Sequence, residues 1–155
     1  MCGHVKFAGE LLTKKRELTM EKDSHGFTPL HLASARRSIS MVKQLLDFGK
    51  EACTVQDEEG RTPLHVAAMK NRVKIMKELI KHKPEAIHHI QNGTNETILN
   101  ICVKYKSLDA LKLLVEELPS VKPPSLDMDV VSVNSKNIDG DTILHLAAQM
   151  SRRKV

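Results

Sequence analysis

The side chains with the widest chemical repertoire in this 155-residue chain are eight histidines and three cysteines. Histidine holds metals and moves protons near neutral pH, and a thiolate is a nucleophile or a metal ligand, so their spacing is the first test of catalysis. His31, His65 and His145 each stand three residues after a threonine, at Thr28, Thr62 and Thr142, inside a word that recurs along the chain. That recurrence assigns them a structural duty, bonding backbone in the adjoining turn. No histidine pair is accompanied by the closely spaced cysteine pair of a zinc finger. His88-His89 falls in a connection after a helix and is expected in solvent. Cys2, Cys53 and Cys102 are odd in number and widely spaced, which fits a reduced compartment. Cys102 takes the place of a small helical alanine and reads as core. The tripeptides Asn92-Gly93-Thr94 and Asn95-Glu96-Thr97 match the glycosylation acceptor pattern. Residues 1–20 carry Lys14-Lys15-Arg16 and only a short apolar stretch, so no secretory signal is read there and both tripeptides are turn residues. No nucleophile elbow, phosphate-binding glycine loop or acid/base pair is visible. The expectation is no enzyme, no cofactor and no metal.

The recurring word decides the architecture. Its fullest copy is Asp57-Glu58-Glu59-Gly60-Arg61-Thr62-Pro63-Leu64-His65-Val66-Ala67-Ala68, with others beginning at Asp23, Asn92 and Asn137. The marker threonines Thr28, Thr62, Thr97 and Thr142 are 34, 35 and 45 residues apart. Asp-x-x-Gly makes a tight turn in which glycine supplies positive φ and the Asx side chain bonds nearby backbone. Threonine then caps a helix, and proline at the first helical position gives up an N–H that had no intrahelical partner. Leucine enters the core, and the alanine pair admits the next unit's helix. A second apolar pattern follows in each unit: Ile39, Val42, Leu45 and Leu46; then Val73, Ile75, Met76, Leu79 and Ile80; then Leu108, Leu111, Leu113, Leu114 and Val115. Spacing of three and four residues marks an amphipathic second helix.

On these residues the chain resembles an ankyrin-repeat array, whose period is roughly 33 residues. The resemblance implies an all-α solenoid of helix pairs with finger turns. It divides the chain into a partial repeat at 3–22, repeats at 23–56 and 57–91, a repeat at 92–136 with an inserted loop at 119–136, and a truncated repeat at 137–155. Repeat three departs from the pattern, with Asn95 for the turn glycine, Ile98 for proline and Asn100 for histidine, and is expected to be the least stable. The Gly-His usual between the helices is replaced by Arg37-Ser38, Asn71-Arg72 and Lys106-Ser107. Residues 3–12 resemble an inter-helix turn and second helix without a first half, and residues 142–155 a first helix without its second, so the expectation is a fragment of a longer array. Pro119, Pro123 and Pro124 make the insertion an extended surface loop.

The lengthened loop and the wording of the repeats are also similar to plant ankyrin proteins with a C-terminal PGG membrane domain. That likeness implies a cytosolic array, at the inner face of a membrane such as the plasma membrane, in defence and stress signalling. No apolar run approaches the roughly 18 residues of a membrane span.

Ankyrin arrays bind partners through finger tips and first helices, which carries the expected contact surface residue by residue onto Ser24, His25, Phe27, Ala35 and Arg36, onto Glu58, Glu59, Arg61, Met69 and Lys70, onto Gly93, Thr94, Glu96, Lys104 and Tyr105, and onto Ile138, Asp139, Asp141, Gln149 and Met150. Phe27, Arg36, Arg61, Met69 and Tyr105 are the anchor candidates, because aromatic residues and arginine dominate binding hot spots and methionine packs adaptably. The partner expected is a protein, with no small-molecule substrate. The net charge of +5, clustered at Lys14-Lys15-Arg16, Arg36-Arg37, Lys70 with Arg72 and Lys74, and Arg152-Arg153-Lys154, opens an alternative, an anionic membrane surface. The plain reading of the same charge is solvated helix faces. Specific nucleic-acid binding would add a known module or a stacking platform, and neither is present.

Overall fold

The computed structural model describes residues 2–121 and 131–152. Eight α-helices follow one another among them: α1 (Cys2–Lys14), α2 (Pro29–Ala35), α3 (Ile39–Gly49), α4 (Pro63–Met69), α5 (Val73–His82), α6 (Ile98–Lys104), α7 (Leu108–Glu117) and α8 (Ile143–Arg152). Each first helix starts one residue after a marker threonine, at Pro29, Pro63, Ile98 and Ile143. The helices form two rows: α2, α4, α6 and α8 pack in sequence along one, α1, α3, α5 and α7 along the other, and each first helix packs on its own second helix. No strand occurs among the described residues, only an isolated bridge between Gln91 and Glu96.

The short first helices are made by their caps. Thr62, in extended conformation, accepts the His65 N–H on its side chain, while the Thr62 N–H is received by His65 Nδ1 at 3.1 Å. Thr28 and His31 repeat the second bond at 3.1 Å. In α6, Asn100 stands in for histidine: its N–H goes to Thr97 Oγ1 at 3.3 Å and its side-chain oxygen receives the Thr97 hydroxyl. The substitute is incomplete, since the buried Asn100 Nδ2 has no partner.

Between the rows lies one continuous core. Leu30, Leu64 and Leu99 are buried, together with Ala67 and Ala68 of α4 and with Val42, Met76, Leu79 and Leu114 from the second helices. Cys53 and Cys102 are buried within it, and burial pushes each thiol up to about 12, so neither forms a thiolate near neutral pH.

The structure departs from the sequence reading at several points. Gly3 and His4, expected in a turn, lie inside α1. Leu108 and Val115 of α7 are exposed, because among the described residues no second helix follows to cover them. Leu144 is exposed too, as expected of a first helix without its second. His88 is buried rather than solvated, with Nε2 bonded to the Val121 carbonyl at 3.1 Å, and His89 is half-buried. Pro119 and Ser120, read as loop, belong to a short 3₁₀ turn, Leu118–Ser120. The remainder of the expected extended loop falls largely on residues 122–130, outside the described residues, and Val131 beyond it is buried.

Candidate functional site

The finger turns position the candidate residues, and a side-chain acceptor builds each of three fingers. Asp23 Oδ1 receives the N–H groups of His25 and Phe27 at 2.9 and 3.0 Å. Asp57 receives those of Glu59 and Arg61, both at 2.9 Å, and Asn137 those of Asp139 and Asp141 at 3.0 and 2.8 Å. The His25 backbone N–H and then that of Phe27 hold the Asp23 carboxyl below its usual range. Repeat three is built differently. Asn92 turns its amide to Gln56 Oε1 at 2.6 Å, and Asn95 adopts φ 50°, the left-handed conformation that Gly60 has at φ 75°. Successive fingers are stitched together by the Glu58 N–H on the His25 carbonyl, Gln91 Nε2 on the Glu59 carbonyl and the Ile138 N–H on the Thr94 carbonyl.

Arg61 occupies the centre of the first two fingers. Its Nε donates to buried Asp57 at 2.9 Å, its guanidinium pairs with Glu59 at 2.9 Å, and it stands 5.8 Å from the Phe27 ring centroid. Phe27 also packs at 5.8 Å from the His31 ring. Two of the expected anchors are therefore spent on each other, and Arg61 braces the fingers rather than reaching out. The same self-satisfaction recurs eight residues apart in the next units. Lys104 pairs with Glu96 at 3.1 Å, and Gln149 donates to Asp141 at 3.1 Å. Glu96 is consequently buried.

What remains free is a narrower set at the C-terminal ends of the first helices. Arg36 and Lys70 are exposed, Met69 is half-buried, and Tyr105 is 48% exposed. Ser24, His25, Glu58 and Ile138 are exposed at the finger tips, with Ile138 66% open. Ala35, Thr94 and Met150 are half-buried, Gly93 and Asp139 exposed. One apolar residue was missed: Leu32 is exposed although Val66 and Ile101, in the same register, are buried. Their helices α4 and α6 each pack on the first helix of the preceding unit, whereas among the described residues none precedes α2. Only counting neighbours, not reading the word, could have revealed it.

The histidines do not form a site. His31 Nδ1 accepts the Thr28 N–H, which fixes the proton on Nε2, and that Nε2–H donates to the Arg61 carbonyl of the next finger at 2.9 Å. This is the backbone bond expected from the sequence. His65 makes the equivalent Nδ1 bond, but its buried Nε2 has no hydrogen-bond partner. Burial pushes the His65 pKa down to about 4, offset in part by the His89 backbone, and lowers that of His31 as well. No group of histidine, cysteine and carboxylate side chains that could hold a metal occurs among the described residues. No helix among them is long and apolar enough to cross a membrane.

No curated protein matches the chain. The family model of ankyrin repeats, in three copies, matches residues 37–127, a stretch that contains α3 to α7 with the capped helices α4 and α6. With caps, fingers, stacking and family match in agreement, the chain belongs to the ankyrin-repeat family.

Proposed function

We propose that the protein is a non-catalytic protein-interaction module whose contact surface runs along the fingers and first helices. Ankyrin repeats generally mediate protein–protein interaction. The observation that carries the reading here is the open row of Arg36, Met69, Lys70 and Tyr105, which stays exposed or half-exposed while the finger charges Arg61, Glu96 and Asp141 are satisfied internally. A rigid aromatic, an adaptable thioether and an arginine at one end of successive helices match the composition of binding hot spots. Ser24, His25, Glu58 and Glu59 form the polar rim, to which Ile138 adds one exposed apolar side chain. The likeness of the repeat wording to plant ankyrin proteins with a PGG membrane domain supports a setting in the cytosol, next to a membrane, in a signalling or stress pathway. The second reading, attachment to an anionic membrane surface, draws on the net charge of +5.

Salt and one triple variant separate the two. Partner capture from plant extract by the whole chain, with Arg36→Ala/Met69→Ala/Tyr105→Ala alongside, should yield a protein held at high salt by the native chain and lost from the variant. Capture that the variant does not change would overturn the surface. Binding to phosphatidylserine vesicles that vanishes with added salt would favour the membrane reading.

A further inference from the structure

Away from the fingers, the inter-helix turns and the starts of the second helices enclose an open groove of about 760 Å³, lined by Arg37, Ile39, Arg72, Val73, Lys74 and Lys77 among others. In the next unit the corresponding place is closed from within. Asn71 Oδ1 accepts the Ala110 N–H in the first turn of α7 at 3.0 Å, and Asn71 Nδ2 donates to Asp109 at 3.1 Å. One repeat earlier the position of Asn71 is held by Arg37, which has no acceptor to offer. A cation therefore replaces a neutral cap, and the groove fills with positive charge. Arg37, Lys74 and Lys77 are exposed, and none of these or Arg72 is paired with a carboxylate among the described residues. Arg72 is held in place by its Nε bond to the Ala35 carbonyl at 3.4 Å. The one carboxylate in the lining, Asp109, is the one bonded to Asn71. Between the cations the half-buried Ile39 and Val73 supply apolar surface.

We propose that this groove binds an acidic segment of a partner protein, its carboxylates on Arg37, Arg72, Lys74 and Lys77 and an aliphatic side chain against Ile39 and Val73. A peptide is favoured over a bilayer because the apolar surface lies in a recess between two turns, where an extended chain enters and a planar headgroup layer does not. None of Arg36, Met69, Lys70 and Tyr105 lines the groove, so the site is separate from the surface proposed above and stands or falls without it.

The probe is a short fluorescein-labelled peptide of glutamates around a central leucine, with its glutamine counterpart as control, titrated into the whole chain by fluorescence anisotropy. Lys74→Glu/Lys77→Glu, at exposed positions, should weaken binding about tenfold or more at low salt with an unchanged circular dichroism spectrum. Lys74→Gln/Lys77→Gln should weaken it less, and Tyr105→Ala should leave it intact. Amide chemical shifts should move at Ile39, Val73, Lys74 and Ile75. Equal binding of the glutamine peptide, indifference to both lysine double variants, shifts confined to the fingers, or binding only to phosphatidylserine vesicles would each overturn the proposal.

Discussion

The units that begin at Thr62 and at Thr142 share Thr-x-Leu-His and differ in almost everything that burial controls. Their caps are alike: threonine Oγ1 lies 2.7 Å from His65 Nδ1 in one and 2.8 Å from His145 Nδ1 in the other. Yet Leu64 is 0% exposed and Leu144 is 76% exposed, and His65 is buried where His145 is open. The cap is local, closing within four residues of chain, so the word writes it wherever it occurs. Burial is not local. Leu64 is covered by α5 and the flanking units, whereas among the described residues α8 packs chiefly on α6. In a repeat array each unit's stability is its own term plus the interfaces with its neighbours, and the two units display those terms separately.

The sharpest way to break this comparison is to remove the same methyl groups from both. Leu64→Ala opens a cavity at a site with no exposure and should cost about 2–5 kcal/mol. Leu144→Ala removes a side chain mostly in water and should stay within about 0.5 kcal/mol. Urea midpoints measure both, and equal shifts would mean that Leu144 is covered in solution.

Acid should test the buried histidine of the pair next. The folded-state pKa of His65 is pulled down to about 4 by burial, from an ordinary value of 6.5. Between those values the unfolded chain binds more protons than the folded one, so stability rises with pH. It is complete above about pH 6.5 and declines as pH falls, by about 3 kcal/mol for this group once pH is below 4. The chemistry agrees, since a proton on Nδ1 would face the Thr62 N–H that Nδ1 accepts. His31 and His89, both lowered by burial, add in the same direction. Asp23, held low by backbone N–H groups, contributes stability that is present above the ordinary carboxylate range and is lost only as pH falls through it. The urea midpoint should therefore fall from pH 7 to pH 5, and His65→Gln should flatten that slope. A slope indifferent to His65→Gln would remove this histidine from the account.

Turn glycines give a smaller contrast of the same kind. Gly60 and Gly140 have φ 75° and 80°, where a Cβ costs roughly 1–2 kcal/mol. At Gly60 that Cβ would also meet the Asn92 backbone nitrogen at 2.5 Å, while at Gly140 nothing lies within 4 Å. Gly60→Ala should lower the thermal midpoint clearly more than Gly140→Ala. Equal effects would show that finger stacking adds nothing to the intrinsic strain.

What could be read from sequence follows the same division. The starts of α2, α4, α6 and α8 were legible because Thr-x-Leu after a turn is a local instruction, complete as Thr-Pro-Leu-His at α2 and α4, and so was the left-handed Asn95, because few residues other than asparagine tolerate the place of a turn glycine. Whereas exposure of Leu144 was expected of a first helix without its second, that of Leu32 and Leu108 was not legible, because each depends on which helix stands next to it. His88 misled for the same reason: its partner, the Val121 carbonyl, is 33 residues away. At the contact surface the residue types were legible but their availability was not. Arg61 looks like a free anchor until Asp57, Glu59 and Phe27 are seen around it, and Glu96 until Lys104 is. Tyr105 stays exposed and Met69 half-buried, since neither carries a charge that a neighbouring side chain could neutralise.

The smallest expected effect isolates the cap itself. Thr62→Ala removes a side-chain acceptor from a buried helix start, where no water can replace it, and helix caps of this type are worth roughly 0.5–2 kcal/mol. The His65 Nδ1 bond from the backbone N–H of residue 62 does not need the threonine hydroxyl, so the loss should stay well below that of Leu64→Ala. Thr62→Ser keeps the hydroxyl and should recover most of it. At Thr142 water competes for the same groups, and the helix it starts has fewer neighbours to hold it. Thr142→Ala should therefore leave the urea midpoint unchanged while speeding hydrogen exchange of the α8 amides, because local opening there is separable from global unfolding. Matching midpoint losses at Thr62 and Thr142 would show that α8 unfolds together with the rest of the array, and that the two units are more alike in energy than in burial.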